Sequence, residues 1–232
     1  MAKRIDINSF HNRFERDSSR NKRIIGTRNL RVYFLIVCEG QKTEPHYFSS
    51  FNNSLPPYTL DIETQGEGCD PLGVVDAAIE LRKNSAKPLN SVWAVFDKDD
   101  FPPSRFRQAI EKAERYGIKC AWSNEAFELW YILHFHYRNT PMSRTEYQKC
   151  IEKEMNQKIL EQEGKKGKFI YRKNAKDMHD LLLKYGDETQ AIKWAEKLAK
   201  TFDTTEYVKH NPCTMVFRLV EELNNPGKVL NQ

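Results

Sequence analysis

The stretch from Arg31 to Phe48, RVYFLIVCEGQKTEPHYF, constrains the fold more than any other part of this sequence. Val32, Phe34, Ile36 and Val37 belong to a dense β-branched and aromatic run, short enough for one buried strand. The run stops at Glu39-Gly40, and Thr43-Glu44-Pro45 opens a helix. Thr43 reads as its N-cap, and Pro45 is tolerated in the first turn because its missing N–H has no intrahelical partner there. An acid thus leaves the end of a buried strand, a glycine turns the chain, and a helix begins. In open α/β sheets ligands bind in the crevice beyond the carboxyl ends of the strands. Glu39 is therefore placed for function rather than for packing.

The rest of the chain repeats this alternation. Residues 1–29 show no sustained apolar period and read as a basic N-terminal arm. After the first helix, to about Asn52, Tyr58 to Thr64 alternates as a half-buried strand does. Asp70-Pro71 starts a helix that ends near Asn84, and Ser91 to Phe96 is a second fully apolar strand closed by Asp97-Lys98-Asp99-Asp100. Pro102-Pro103 open a helix to Tyr116 with Gly117 behind it, followed by a short strand from Ile118 to Trp122. Ser123-Asn124 then read as the cap of a helix from Glu125 to about Tyr137. Strands alternating with helices of this length predict an α/β fold with a mostly parallel sheet over residues 30–137. Residues 138–232 read as a helical extension packed on that core, with helices over Ser143–Glu163, Asn174–Tyr185, Glu188–Thr201 and Pro212–Asn224, the last capped by Asn211.

Composition narrows the class. A mean hydropathy of -0.73 and 30% charged residues fit a soluble protein. No apolar run approaches the roughly 20 residues of a membrane helix. The first residues lack the apolar centre of a signal peptide, and five cysteines without a CxxC spacing suggest reduced thiols in a cytoplasmic setting. The net charge of +5 is uneven. Basic residues cluster along the arm and again over Lys158, Lys165, Lys166, Lys168, Arg172, Lys173 and Lys176, which suits polyphosphate contact, although a solvated surface gives the same pattern.

Three acidic features lie at strand-to-helix junctions: Glu39, the Asp97/Asp99 pair, and Glu128. A D-x-D spacing at a strand end directs two carboxylates the same way. Carboxylates converging from adjacent strands repel unless a cation lies between them, and hard Mg²⁺ or Mn²⁺ suits oxygen ligands. An acidic turn capping the next helix is the alternative for Asp97–Asp100. Glu128 sits among core residues in AFELWYIL and needs a partner such as a cation or a lysine, unless it reaches out at the helix edge. Lys173 precedes a helix and could steady a phosphate or face solvent.

Taken together, VCEGQKTE (residues 37–44), VFDKDDF (95–101), SNEAFELW (123–130) with His134-Phe135, and NPCTMV (211–216) resemble the RloB-like family. That resemblance implies a Toprim-like core, shared with topoisomerases, primases and overcoming-lysogenisation-defect nucleases. It further implies a bacterial anti-phage or restriction-linked setting and an ATPase partner from the same locus. By the family pattern Glu39 is the general acid/base, Asp97 and Asp99 bind Mg²⁺, and Glu44, Glu128 and Lys173 assist. One departure is Asn124-Glu125-Ala126, where relatives usually have Asn-Pro.

The resulting expectation is a Mg²⁺- or Mn²⁺-dependent nuclease cutting RNA (tRNA among the candidates) or DNA. Glu39, Asp97, Asp99, Glu128 and Lys173 would be catalytic, and Glu39, Asp97, Asp99, Glu44 and Glu128 would face the metal. Lys42, Lys98, Lys165, Lys166, Lys168, Arg172 and Lys176 would contact nucleic acid. A homo-oligomer stays open, and no membrane is involved. A non-catalytic nucleic-acid-binding or regulatory partner of a defence ATPase is the alternative. A primase-like enzyme is a further rival, for which no nucleotide motif is visible.

Overall fold

The computed structural model describes residues 31–54, 60–66, 68–165 and 168–231. Its centre is an open sheet in the order β2-β1-β3-β4-β5, where β1 is Val32–Cys38, β2 Leu60–Gly66, β3 Ser91–Asp97, β4 Lys119–Asn124 and β5 Cys213–Thr214. The pairs β1/β2, β1/β3 and β3/β4 are parallel, and β5 is antiparallel to β4. β3 is buried along its whole length and β1 nearly so, as expected for parallel strands covered on both faces. The fold is α/β, mostly parallel and helix-flanked, and is consistent with a Rossmann- or Toprim-like architecture.

Local chemistry sets several helices. Helix α1 (Thr43–Ser49) and the short α2 (Phe51–Ser54) follow β1. Helix α3 (Pro71–Asn84) starts as the sequence predicts, with Asp70 Oδ1 accepting the Gly73 N–H at 2.8 Å and Pro71 in the first position. It buries Val74, Val75 and Ala78 against β1 and β3. Helix α4 (Pro103–Arg115) buries Phe106, Ala109, Ile110 and Ala113, and Gly117 follows with φ 63, where a residue without Cβ is at ease.

Helix α5 (Glu128–Ile132) comes next, then the long α6 (Arg144–Glu163), which opens with a capping box. The Ser143 side chain accepts the Glu146 N–H while Glu146 accepts the Ser143 N–H. The remaining helices are α7 (Met178–Tyr185), α8 (Glu188–Ala199) and α9 (Val216–Asn224). α9 lays Val216, Phe217, Leu219, Val220 and Leu223 into the core and contacts β4.

Four local expectations are corrected. Thr43 is the first residue of α1 rather than its cap, because its hydroxyl donates to the Lys173 carbonyl at 2.8 Å. Ser123 and Asn124 are buried as the last residues of β4, so they cap nothing. The helix expected from Glu125 to Tyr137 begins only at Glu128 and is one short element. Pro212 does not open a helix, since Cys213–Thr214 pair with β4 first and the helix starts at Val216. In the last three cases a contact with a distant strand overrides a local signal. Among the described residues no helix is long and apolar enough to cross a membrane. The expected arm, residues 1–29, lies outside the described residues.

Candidate active site

After β1 the chain moves to β2 on one side, then returns to β3 on the other side of β1. The order of the sheet therefore reverses between β1 and β3, and a crevice opens beyond their carboxyl ends. Glu39 and Asp97 stand there together. The register pairs Cys38 with Val95, which brings the two acids alongside each other where the strands end. The Glu39 N–H donates to the Val95 carbonyl at 2.8 Å, and the Asp97 N–H donates to Glu39 Oε2 at 3.0 Å. The Glu39 side chain thus takes a backbone donor at the strand end and is fixed by it.

The turn after β3 is held just as firmly. Lys98 N–H donates to the Ser123 carbonyl and Asp99 N–H to the Glu125 carbonyl, tying the turn to the exit of β4. Asp99 adopts φ 39, an uncommon conformation for a residue with a side chain, and one that clusters at functional sites. Asp99 has consequently left the strand, and strand alternation is not what brings it to Asp97. The link is Arg144, at the start of α6: its Nη2 meets Asp97 Oδ2 and its Nη1 meets Asp99 Oδ2, each at 3.0 Å. Asp97 Oδ2 also accepts the Phe127 N–H at 3.1 Å, which satisfies a free donor at the start of α5.

Glu44 enters from α1 and Glu128 from α5. With Asp97 they are nearly sealed from solvent, at 7%, 3% and 5% exposure. Glu128 Oε1 accepts the Tyr171 hydroxyl at 3.0 Å. These acids, with Glu39, Lys42, Arg144 and Lys173, line one cleft of about 310 Å³. Gly40 makes room for it, because a Cβ there would lie 2.2 Å from Glu44 Oε2.

The electrostatics follow from this crowding. Burial raises Glu39 to about 7, and Glu44 and Asp99 push the same way against the Asp97 N–H and Arg144. Burial also raises Asp97, reinforced by Glu44, Glu39 and Glu128 and opposed by Arg144. Glu44 is raised by burial, with Glu128 adding to it. All three shifts favour the protonated carboxyl, so the crowding of acids in the cleft is relieved by protons where no cation stands among them. The Cys38 thiol beside Glu39 is pushed up by burial and by Glu44, which leaves it a packing group rather than a nucleophile.

Of the residues singled out from the sequence, Glu39, Glu44, Asp97, Glu128, Lys173 and Lys42 line the cleft, and Asp99 joins it through Arg144. Lys98 turns its ammonium onto the Asp99 carbonyl at 2.8 Å. Lys165, Lys168, Arg172 and Lys176 are exposed. Lys166 lies outside the described residues. Glu125 lies ahead of α5, and its carboxylate groups with Asp99 and Asp100, with oxygens within 4.8 Å of one another. Sequence reasoning missed Arg144 and Tyr171. Neither sits in a strand-end motif, and only the packing of α6 and the 168–177 segment brings them in.

Asp97, Asp99, Glu39, Glu44 and Glu128 offer oxygen donors of the kind that hard divalent cations such as Mg²⁺ or Mn²⁺ take, while among the described residues the three acids whose oxygens lie within 4.8 Å of one another are Asp99, Asp100 and Glu125. No curated protein and no solved structure matches the chain. The family model described as RloB-like protein matches residues 34–223, a span that runs from β1 to α9 and includes every cleft residue described above. On that match the chain belongs to the RloB-like protein family.

Proposed function

We propose that this chain is a metal-dependent nuclease of Toprim type, hydrolysing phosphodiester bonds in RNA (with tRNA a candidate) or DNA as the effector of a bacterial anti-phage system. One observation carries the reading: Glu39, Asp97, Glu44 and Glu128 converge in a single cleft at the switch point of the sheet, with Arg144 and Lys173 beside them. Four carboxylates, three of them buried, are costly to a fold that does not use them. Membership of the RloB-like family is consistent with a defence-associated role.

Asp97 and Asp99 would hold Mg²⁺ or Mn²⁺, with Glu44 and Glu128 completing the donor set. A bound ion supplies Lewis-acid polarisation of the phosphoryl group and lowers the pKa of water. Glu39, held by the Asp97 N–H, takes the proton of the attacking water as the new P–O bond forms. The old P–O bond then breaks, and the leaving oxygen takes a proton from solvent water, while Glu39 returns its own to solvent. Lys173 faces the same cleft and offsets charge on the phosphate. Lys42, Lys165, Lys168, Arg172 and Lys176 are exposed cations available to the nucleic-acid backbone. An ATPase of the same locus is the proposed partner.

The test is cleavage by the purified protein of tRNA, single-stranded RNA, and plasmid and linear DNA, with Mg²⁺ or Mn²⁺ against EDTA and with and without the neighbouring ATPase. Ion-dependent cleavage that Glu39→Ala and Asp97→Ala both abolish is the expected result. No cleavage under any condition, with nucleic-acid binding unchanged in both variants, points instead to a non-catalytic binding partner.

A further inference from the structure

Arg144 holds two of the acids directly, and the way it holds them is unsatisfied. It is the first residue of the 20-residue helix α6, where the helix field favours anions and opposes a cation. Its Nε is buried and meets no acceptor, so only the two Nη groups of the guanidinium are satisfied. The side chain is 31% exposed, so it is in contact with solvent as well as with the two acids. Asp97, by contrast, does not depend on Arg144 for its orientation, because Oδ2 keeps the Phe127 N–H when the guanidinium leaves. The Asp97 carboxylate has a backbone anchor, and the cation has none.

We propose that Arg144 is an exchangeable counter-ion: in the metal-free protein its guanidinium bridges Asp97 and Asp99, and a divalent cation takes that pair by displacing it. The inference rests on the metal-dependent reading of the cleft. A tethered competitor of this kind sets the ion affinity of the site. It keeps two neighbouring carboxylates from repelling each other while the ion is away, and it makes the ion displace a cation already in place. The guanidinium fork reaches both oxygens at once, but the competing element is its charge, which an ammonium at the same position also supplies.

The experiment is a Mn²⁺ titration of the full chain, followed by the electron paramagnetic resonance signal of free Mn²⁺, for wild type, Arg144→Gln, Arg144→Lys and Asp97→Asn. Asp97→Asn should lose binding. Arg144→Gln should bind roughly tenfold more tightly than wild type, the scale of one competing charge at a partly exposed site. Arg144→Lys should stay near wild type. Unchanged or weaker binding in Arg144→Gln, with binding still lost in Asp97→Asn, would overturn the exchange and leave the metal-dependent reading standing. Equal tightening in Arg144→Lys would overturn it too, since charge would not be the competitor.

No Mn²⁺ bound by any of the four proteins would overturn the metal-dependent reading and this proposal with it. A second measurement needs no variant to fold differently. In ¹⁵N spectra of the wild-type protein, the Arg144 Nε–H resonance, assigned by its loss in Arg144→Lys, should shift as Mg²⁺ is added. A resonance that stays fixed at saturating Mg²⁺ would count against the exchange.

Discussion

Glu128 and Tyr171 show how single residues keep a carboxylate inside this core. The acid is 3% exposed, and its Oε1 is met by the Tyr171 hydroxyl at 3.0 Å. Tyr171 is itself fixed, because its N–H donates to Glu152 Oε1 at 2.9 Å and its ring lies against Tyr131. Burial, and then the charge of Glu128, push the Tyr171 hydroxyl upward, so it stays a donor across the working pH range. Tyr171→Phe keeps the ring contact and removes the donor, leaving a buried carboxylate oxygen unpaired. It should lower the unfolding free energy by about 1–3 kcal/mol in urea denaturation. Gly40 acts on the same site in the opposite way. A methyl group there must displace Glu44, whose carboxylate is the far end of a side chain and can move without moving backbone. Gly40→Ala should therefore leave the midpoint of unfolding nearly unchanged while lowering ion-dependent cleavage by about a hundredfold, the cost of misplacing a group by an ångström. A large loss of stability with activity intact would contradict that division of labour.

Elements whose ends are set by neighbouring residues were readable in the sequence, and elements whose ends are set from a distance were not. Helix α6 belongs to the first kind: Ser143 and Glu146 close its capping box, and Gly164 ends it at φ 67. Ser143→Ala should cost about 1 kcal/mol in denaturant unfolding, and because Arg144 is the next residue it should also loosen the Arg144 grip on Asp97 and Asp99. Strands β1 and β3, with Glu39 and Asp97 at their ends, were legible for the same reason, as continuous apolar runs stopped by acids. Helix α5 belongs to the second kind. Its start depends on the Asp97 carboxylate accepting the Phe127 N–H, thirty positions away in the chain, so Ser123 and Asn124 misled as caps. Its exit depends on His134, fully buried, with Nδ1 against the Trp130 carbonyl at 2.9 Å. Burial lowers His134 to about 4, against an ordinary value of 6.5. Between these values the unfolded chain takes up a proton that the folded chain refuses, so this group's contribution is complete above pH 6.5 and falls away toward pH 4. The loss is about 3 kcal/mol. In His134→Asn, which keeps a donor for the Trp130 carbonyl, unfolding free energy measured from pH 7 to pH 4 should fall less steeply than in wild type by that amount.

At the scale of the whole molecule, the site and the sheet both depend on chain that lies far beyond the first strands. A division into an α/β core to residue 137 and a helical extension was the natural reading, because apolar strand runs cease there. The segment Cys213–Thr214 is too short to announce itself as a strand, yet it pairs antiparallel with Ser123 and Asn124 at the edge of β4. The Ser123 and Thr214 hydroxyls meet at 3.0 Å inside that joint. Helix α9 follows at once and contributes five buried apolar side chains. At roughly 1.5–3 kcal/mol for each large side chain, exposing them would cost on the order of 10 kcal/mol, as much as a typical domain's whole stability. The cleft is equally distributed: Arg144 comes from α6, and Tyr171 and Lys173 come from the segment ahead of α7. Residues 30–137 alone should therefore fail to give a cooperative thermal transition, and adding residues up to 205 should not restore one, because β5 and α9 would still be missing. Restoring the chain through Leu223 should. A cooperative melt and an intact near-ultraviolet circular dichroism signal from residues 30–137 would show that the sheet folds without its last strand and helix, and would make the later helices an accessory to the cleft rather than part of the body that builds it.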